Sequence, residues 1–372
     1  MDTTPRAIGT PIVIFSFDRP QYLRRFCESL KAQQGVMLDE SRIFLLQDGA
    51  VSPRTGVRYA EDAAVAQSIA AFREIFPQGQ VLASPDNLGI AFNIRRGEAL
   101  AFETLDAELG YFFEDDLELG PAYLLMMERL RDALAERREV GYFAVYGEHR
   151  SKSNPDAPRL VGLDHHWGFA LRRDAWRRIG EWLAPYFEIL GRMDYAHRNH
   201  LAIYQFLQGQ EMAIDRSSQD ALKAVAAARL GIVRVMTDVC FGRYIGEKGA
   251  SFNEARFREL GYDRTDMVGR TDIALPALSR DRAQAILAGQ QERFRTFRQR
   301  DFDGFLSRYA LRHWDPDRAP RRDDVDGLFR LLLDRLPEGE HIYRQYAGQG
   351  TLRELRAVIF NSREFRSRSG RR

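Results

Sequence analysis

With 372 residues, 44% of them hydrophobic and 29% charged, the chain has the composition of a globular protein with room for two or three domains. A formal net charge of +2 argues against nucleic acid as the main partner. No uncharged apolar run reaches the ~18 residues of a membrane span, and the opening MDTTPRAIGTPIVIFSF lacks the basic-then-apolar order of a secretory signal. Cys27 and Cys240 are the only cysteines, too few for a disulfide framework or a cysteine zinc site, so a reducing cytoplasm is expected.

In chain order, the apolar run PIVIFSF (11–17) predicts a buried strand. The next segment, RPQYLRRFCESLKAQ, repeats Tyr22, Leu23, Phe26 and Leu30 at helical spacing. RIFLLQD (42–48) predicts a second strand, YAEDAAVAQSIAAFREIF a helix, and QVLAS (80–84) a third strand. IAFNIRRGEALAFETL predicts another helix, and YFFEDD closes a fourth strand. Such alternation indicates β-α-β units and a mostly parallel sheet with helices on both faces. Further on, VGYFAVYG (140–147), WGFALRR (167–173) and IVRVMTDV read as strands, and a helix starts near Ser217. FGRYIGEKGASFN (241–253) reads as a Gly-rich loop, 275–280 as a linker, and the remainder as helical. The expected domains are 1–275, with halves at 10–150 and 151–275, a helical linker region 276–320, and a small helical module 321–372.

Acids stand where three of the strands end: Asp18, Asp48, and the triplet Glu114-Asp115-Asp116. In a parallel sheet these ends share one edge, beyond which ligands bind. One acid after a strand is usually a helix cap or turn former, and for Asp18, followed by Arg-Pro, the cap is the expectation. Adjacent carboxylates suit a hard divalent cation completed by substrate phosphate oxygens. On an extended chain Glu114 and Asp116 would share one side and Asp115 the other.

The order P-I-V-I-F-S-F-D-R-P-Q-Y-L, L-L-Q-D-G, N-L-G-I-A-F-N-I-R-R and F-F-E-D-D-L resembles a GT-A glycosyltransferase. It is most similar to the inverting N-acetylglucosaminyltransferase-I-like branch and to bacterial family 2 relatives, over roughly residues 10–255. The resemblance implies an α/β, Rossmann-like GT-A fold and transfer from a nucleotide-diphosphate sugar to a glycan, lipid-linked or protein hydroxyl, in cell-surface glycan synthesis. Asp18 then lies near the base and ribose, Asp48 contacts the base, and Asn87, Leu88 and Gly89 open the helix carrying Arg95, which pairs with the diphosphate. A solvated helix face is the competing account of Arg95 and Arg96. Asp116 matches the metal ligand for Mn²⁺ or Mg²⁺, weakly held, and Glu114 and Asp115 lie near donor sugar and ribose. Trp167 and Gly168 shape the sugar site, with a core tryptophan as the alternative. Asp220 matches the catalytic base, against helix capping, with Asp194 and Asp215 as fallbacks. Lys248, in the closing loop, reaches a phosphate. His165 and His166 lack a second cluster that would support zinc.

Residues 321–372 resemble a helical module appended to bacterial surface-polysaccharide proteins, with N-S-R-E-F near its end. Its arginines offer peripheral membrane or protein docking, although a solvated face is the plainer expectation. Two other functions compete. A nucleotidyltransferase of related fold would carry a Gly-rich phosphate loop where this chain has S-F-D-R-P. A glycan-binding scaffold would have no need of the acids.

Overall fold

The computed structural model describes residues 5–150, 153–247, 253–312 and 317–368. Lys248, the expected phosphate ligand of the closing loop, lies outside them.

The strands are β1 (Arg6–Ile8), β2 (Ile12–Ser16), β3 (Val36–Leu38), β4 (Ile43–Gln47), β5 (Gln80–Ala83), β6 (Leu109–Glu114), β7 (Leu117–Leu119), β8 (Val140–Ala144), β9 (Leu160–Gly162), β10 (Gly168–Arg172), β11 (Val233–Thr237) and β12 (Gly242–Tyr244). Eight of them form one sheet in the order β5-β4-β2-β6-β10-β8-β11-β9. β5, β4, β2 and β6 run parallel, β10 runs against both β6 and β8, and β11 is parallel to β8 and antiparallel to β9. This is the mixed, mostly parallel α/β sheet expected. β2, β4, β8 and β11 are buried at every residue, which is why β2, β4 and β8 read as near-continuous apolar runs rather than alternating ones, while β11 carries the buried Arg234.

Three details depart from the sequence reading. WGFALRR is not part of a separate half: β10 pairs with β6 across Gly168–Phe113, so the main sheet continues through it. The Gly-rich loop begins as a strand, with β12 pairing with β7 immediately after the acidic triplet. The stretch around 275 has no regular structure but is tied down. Arg129 donates to the carbonyls of Thr271 (2.6 Å) and Ile273 (2.9 Å), and Arg137 to that of Leu278 (2.8 Å).

The chain divides into two compact units: Met1–Ser52 with Val57–Trp182 and Lys223–Glu292, and Pro53–Gly56 with Leu183–Leu222 and Arg293–Arg372. These boundaries do not follow the 275 and 320 breaks, because 183–222 associates with the C-terminal helices. Ala213 donates to the carbonyl of Phe294, and Arg298 to that of Gln208.

The second unit ends in a helical cluster around Val325, Leu328, Phe329, Leu333, Tyr343, Leu352, Leu355 and Ile359. The arginines that crowd its sequence are largely paired within it: Arg318 with Asp324, Arg322 with Glu340, Arg335 with Glu364 and Arg353 with Asp317. These internal pairs reduce the positive charge the module presents outward.

Burial, with repulsion from Asp326 and Asp324, pushes the Asp323 carboxyl up to about 7. The folded state then binds more protons than the unfolded chain between the ordinary value and about 7, so this group's contribution falls as pH rises through that window. We expect thermal melts in which Asp323→Asn gains on the wild type from pH 4 to pH 7 and no further above it. A constant gap at every pH would acquit Asp323.

Candidate functional site

In the large sheet the chain enters at β2, steps outward through β4 and β5, then returns to the other side of β2 at β6. β2 and β6 are therefore the topological switch point, where an open α/β sheet leaves a crevice beyond its carboxyl ends. Phe15 pairs with Glu114 there, so Asp18 and Arg19 emerge beside the acidic triplet.

The triplet does not alternate as an extended strand would. β6 ends at Glu114, and Asp115 and Asp116 form the turn into β7. That turn brings both aspartates to one guanidinium. Arg19 donates through one terminal nitrogen to Asp115 and through the other to Asp116 Oδ2 at 2.8 Å. The aspartate side chains are 3% and 4% exposed, that of Arg19 27%. Burial opposes the charge on Arg19, but the two acids outweigh it and hold the guanidinium further into its charged state. Burial likewise pushes the Asp115 carboxyl above the usual range, with Arg19 holding it down and Asp116 repelling it. The Tyr244 hydroxyl also hydrogen-bonds Asp116, and the amide of Ile245 donates to the Asp116 carbonyl at 2.8 Å.

Asp18 is half-buried, and burial raises its pKa. It is not a helix cap: Arg19 stands at the N-cap of the helix Pro20–Lys31, and its guanidinium, which has no acceptor, makes no side-chain cap bond.

Asp48 is 4% exposed and braces a loop. Its Oδ1 accepts from the amides of Leu88 (2.8 Å) and Gly49 (3.0 Å), and its Oδ2 from the amide of Gly89 (3.0 Å) and Asn87 Nδ2 (3.3 Å). Burial pushes its carboxyl up, and the three amides pull the other way. Asn87 also donates to the Gly49 carbonyl. Gly89 caps the helix Ile90–Ala99 at φ 74°, a left-handed conformation that favours glycine. At Gly49 a Cβ would meet the Asp86 backbone at 2.5 Å. So the L-Q-D-G and N-L-G stretches close on each other, and the anion at this helix start is the chain's own Asp48. Asp48→Asn turns one acceptor into a donor facing two donors. It is expected to cost about 2–3 kcal/mol, read from urea unfolding.

Arg95 is exposed on that helix. Its neighbour Arg96 turns inward and donates to the carbonyls of Gln47 (3.2 Å) and Leu82 (2.8 Å), joining the ends of β4 and β5.

Trp167 stacks on His165 (4.3 Å, 5°) and on Tyr244 (4.4 Å, 16°), with Tyr262 edge-on. Two near-parallel rings that close cannot share one face without overlapping, so protein rings cover both faces of the indole. Gly168 is required by packing, since a Cβ would meet Leu117, Phe113 and the Tyr123 hydroxyl within 3 Å. The Trp167 carbonyl accepts the amide of Glu114 at 2.8 Å, fixing this aromatic stack to the acidic turn. His166 is buried between Tyr142 and Phe169, and burial drives its pKa well down, so it stays neutral.

Asp220 lies in the first turn of the helix Gln219–Arg229, half-buried, where it adds to the field on Tyr186. The amide of Leu222 bonds to the carbonyl of Ser218, which places the cap at Ser218 rather than at Asp220. Asp194 Oδ2 accepts from the Thr55 hydroxyl at 2.5 Å, and Asp215 is exposed. These three acids belong to the second unit, the acidic turn to the first.

Among the described residues no three of His, Cys, Asp and Glu group as a metal site. Asp116 Oδ1 is the one oxygen of the pair Asp115–Asp116 that is buried without a hydrogen-bond partner. Asp116 Oδ2 and Asp115 Oδ1 are engaged by Arg19. This donor set does not fit a resident divalent ion.

Sequence reasoning passed over Arg19 and Tyr244. Arg19 had a signal, a cation one residue beyond a strand end on the edge where the acids converge. Tyr244 had none, because its segment read as loop.

No family model matches the chain, and no curated protein does. Among solved structures, S. aureus TarS 1–349 aligns at 11% identity over 99% of this chain and 92% of that one, with a TM-score of 0.37. The galactosyltransferase LgtC, solved with donor and acceptor sugar analogs, aligns at 12% over 70% and 98%, with a TM-score of 0.32. CMP:2-keto-3-deoxy-manno-octonic acid synthetase, solved with CTP, aligns at 13% over 47% and 78%, with a TM-score of 0.28. The chain is similar to these structures only in the loose sense that such scores convey.

Proposed function

We propose that the chain is a glycosyltransferase that moves a sugar from a nucleotide-diphosphate donor to a hydroxyl acceptor with inversion. The observation that carries this reading is the meeting of Asp18, Arg19 and the Glu114–Asp116 turn at the switch point of a mostly parallel sheet. Carboxylates there suit ribose and sugar hydroxyls, which donate to them, and a guanidinium suits a diphosphate. In this reading Asp18 and Glu114 meet the hydroxyls. Arg19, and Arg95 on the neighbouring helix, stabilise the charge that builds on the diphosphate as its bond to the anomeric carbon breaks. The acceptor oxygen attacks that carbon from the opposite side, and its hydroxyl proton passes to a general base. The acceptor is a glycan, or a lipid-linked or protein hydroxyl of a cell-surface glycan. No described helix is long and apolar enough to cross a membrane.

The test is thermal stability against UDP-, GDP-, dTDP- and CMP-sugars, on wild type and Asp116→Ala, followed by turnover with the donor that binds. One nucleotide class should stabilise the wild type and not the variant. A wild type indifferent to every nucleotide sugar would leave the acids a structural role only.

A further inference from the structure

The same turn bears on what charge serves the donor. Asp115 and Asp116 are each more than nine-tenths buried and share one fixed cation. Tyr244 adds a second donor to Asp116, and the remaining oxygen, Oδ1, is buried with no partner. That oxygen is shut off from solvent, so an ion reaching it must first displace what covers it. A divalent ion ligated by the pair would compete with Arg19 for Asp115 Oδ1 and Asp116 Oδ2, the oxygens the guanidinium already holds. Arginine cannot relieve that by losing a proton, as lysine or histidine can. Its guanidinium therefore has to leave before a metal can take those two oxygens.

We propose that Arg19 is the resident counter-ion of the Asp115–Asp116 pair and stands in the divalent cation's place, so that this chain takes its nucleotide-sugar donor without a divalent metal. The statement about the donor rests on the proposed function. The statement about the pair does not. Arg19 thus offsets part of the turn's negative charge before any donor arrives, and its remaining N–H groups supply the positive edge that a diphosphate meets. Removing it should uncover a latent cation site.

The experiment is uptake of Mn²⁺ by the full chain, followed by the loss of the free-ion signal in electron paramagnetic resonance, with no nucleotide present. Wild type and Arg19→Lys are expected to show no uptake that depends on Asp116. Arg19→Met is expected to take up Mn²⁺ at least about tenfold more tightly than the wild type. That gain should vanish in Arg19→Met/Asp116→Asn. Wild-type uptake that disappears in Asp116→Asn overturns the proposal, and so does a folded Arg19→Met that takes up none. Should Arg19→Met fail to fold by circular dichroism, the decision passes to wild type and Arg19→Lys. A second arm measures binding of the nucleotide-sugar panel in EDTA and in Mn²⁺. Affinity unchanged by EDTA supports the proposal, and affinity that EDTA abolishes and Mn²⁺ restores overturns it. No nucleotide binding under either condition removes the transferase reading, while the Mn²⁺ arm still decides the state of the pair.

Discussion

Arg19→Met is expected to destabilise the first unit by about 3–5 kcal/mol, because it leaves two buried carboxylates facing each other with no counter-ion. The guanidinium itself is only partly exposed and its partners almost fully buried, so solvent cannot replace it. Denaturant unfolding followed by the fluorescence of Trp167, which stacks on Tyr244 beside the turn, reads the loss directly. Two controls separate the ion pair from the mere loss of a side chain. Arg19→Lys keeps the charge but not the fork, and should recover part of the stability. Arg19→Met/Asp115→Asn/Asp116→Asn removes all three charges, and should recover most of it. Mn²⁺ should raise the melting temperature of Arg19→Met and leave that of the wild type unmoved, as expected of a ligand that binds only the folded variant. Equal stability of wild type and Arg19→Met would mean that the acids find another partner.

Lys223→Met is expected to cost a similar amount, about 3–5 kcal/mol, through the same physics elsewhere in the sheet unit. Lys223 forms an ion pair with Glu98, and the two side chains are 5% and 2% exposed. Around them lie Tyr142, whose pKa Glu98 helps to raise, and His166, whose charging Lys223 and Arg234 oppose. Deleting the lysine strands a buried carboxylate. Deleting both partners, in Lys223→Met/Glu98→Leu, leaves apolar volume in their place and should return within about 1 kcal/mol of the wild type. Urea unfolding of the two singles and the double gives the coupling energy. If the double is as unstable as the single, the deficit comes from packing rather than from an orphaned charge.

How much was legible beforehand follows from which interactions are local. Strands β2, β4, β6 and β8 announced themselves as apolar runs, because a strand buried on both faces has no polar side to alternate with, and β11 did so despite Arg234. The short β1, β3 and β9 carried no such signal. They are three residues each and owe their form to pairing: β1 with β3, and β9 with β11. The helices 184–190 and 200–208 were passed over for a similar reason, each being only two turns or so long.

For the site, the sequence alone determined that acids end β2, β4 and β6 on one edge, since alternation of strand and helix forces a parallel sheet and a parallel sheet puts those ends together. The functions of the individual acids were a tertiary matter. Asp48 became a loop brace because Leu88 and Gly89, about forty positions on, bring their amides to it. Asp115 and Asp116 ended on the same cation because the chain turns after Glu114 instead of continuing extended. Trp167 lost both faces to His165 and Tyr244 because β12 returns beside β7. A carboxylate's partner is set by whichever donor the fold carries within about 3 Å, and local pattern does not encode that distance when the donor is a hundred residues away.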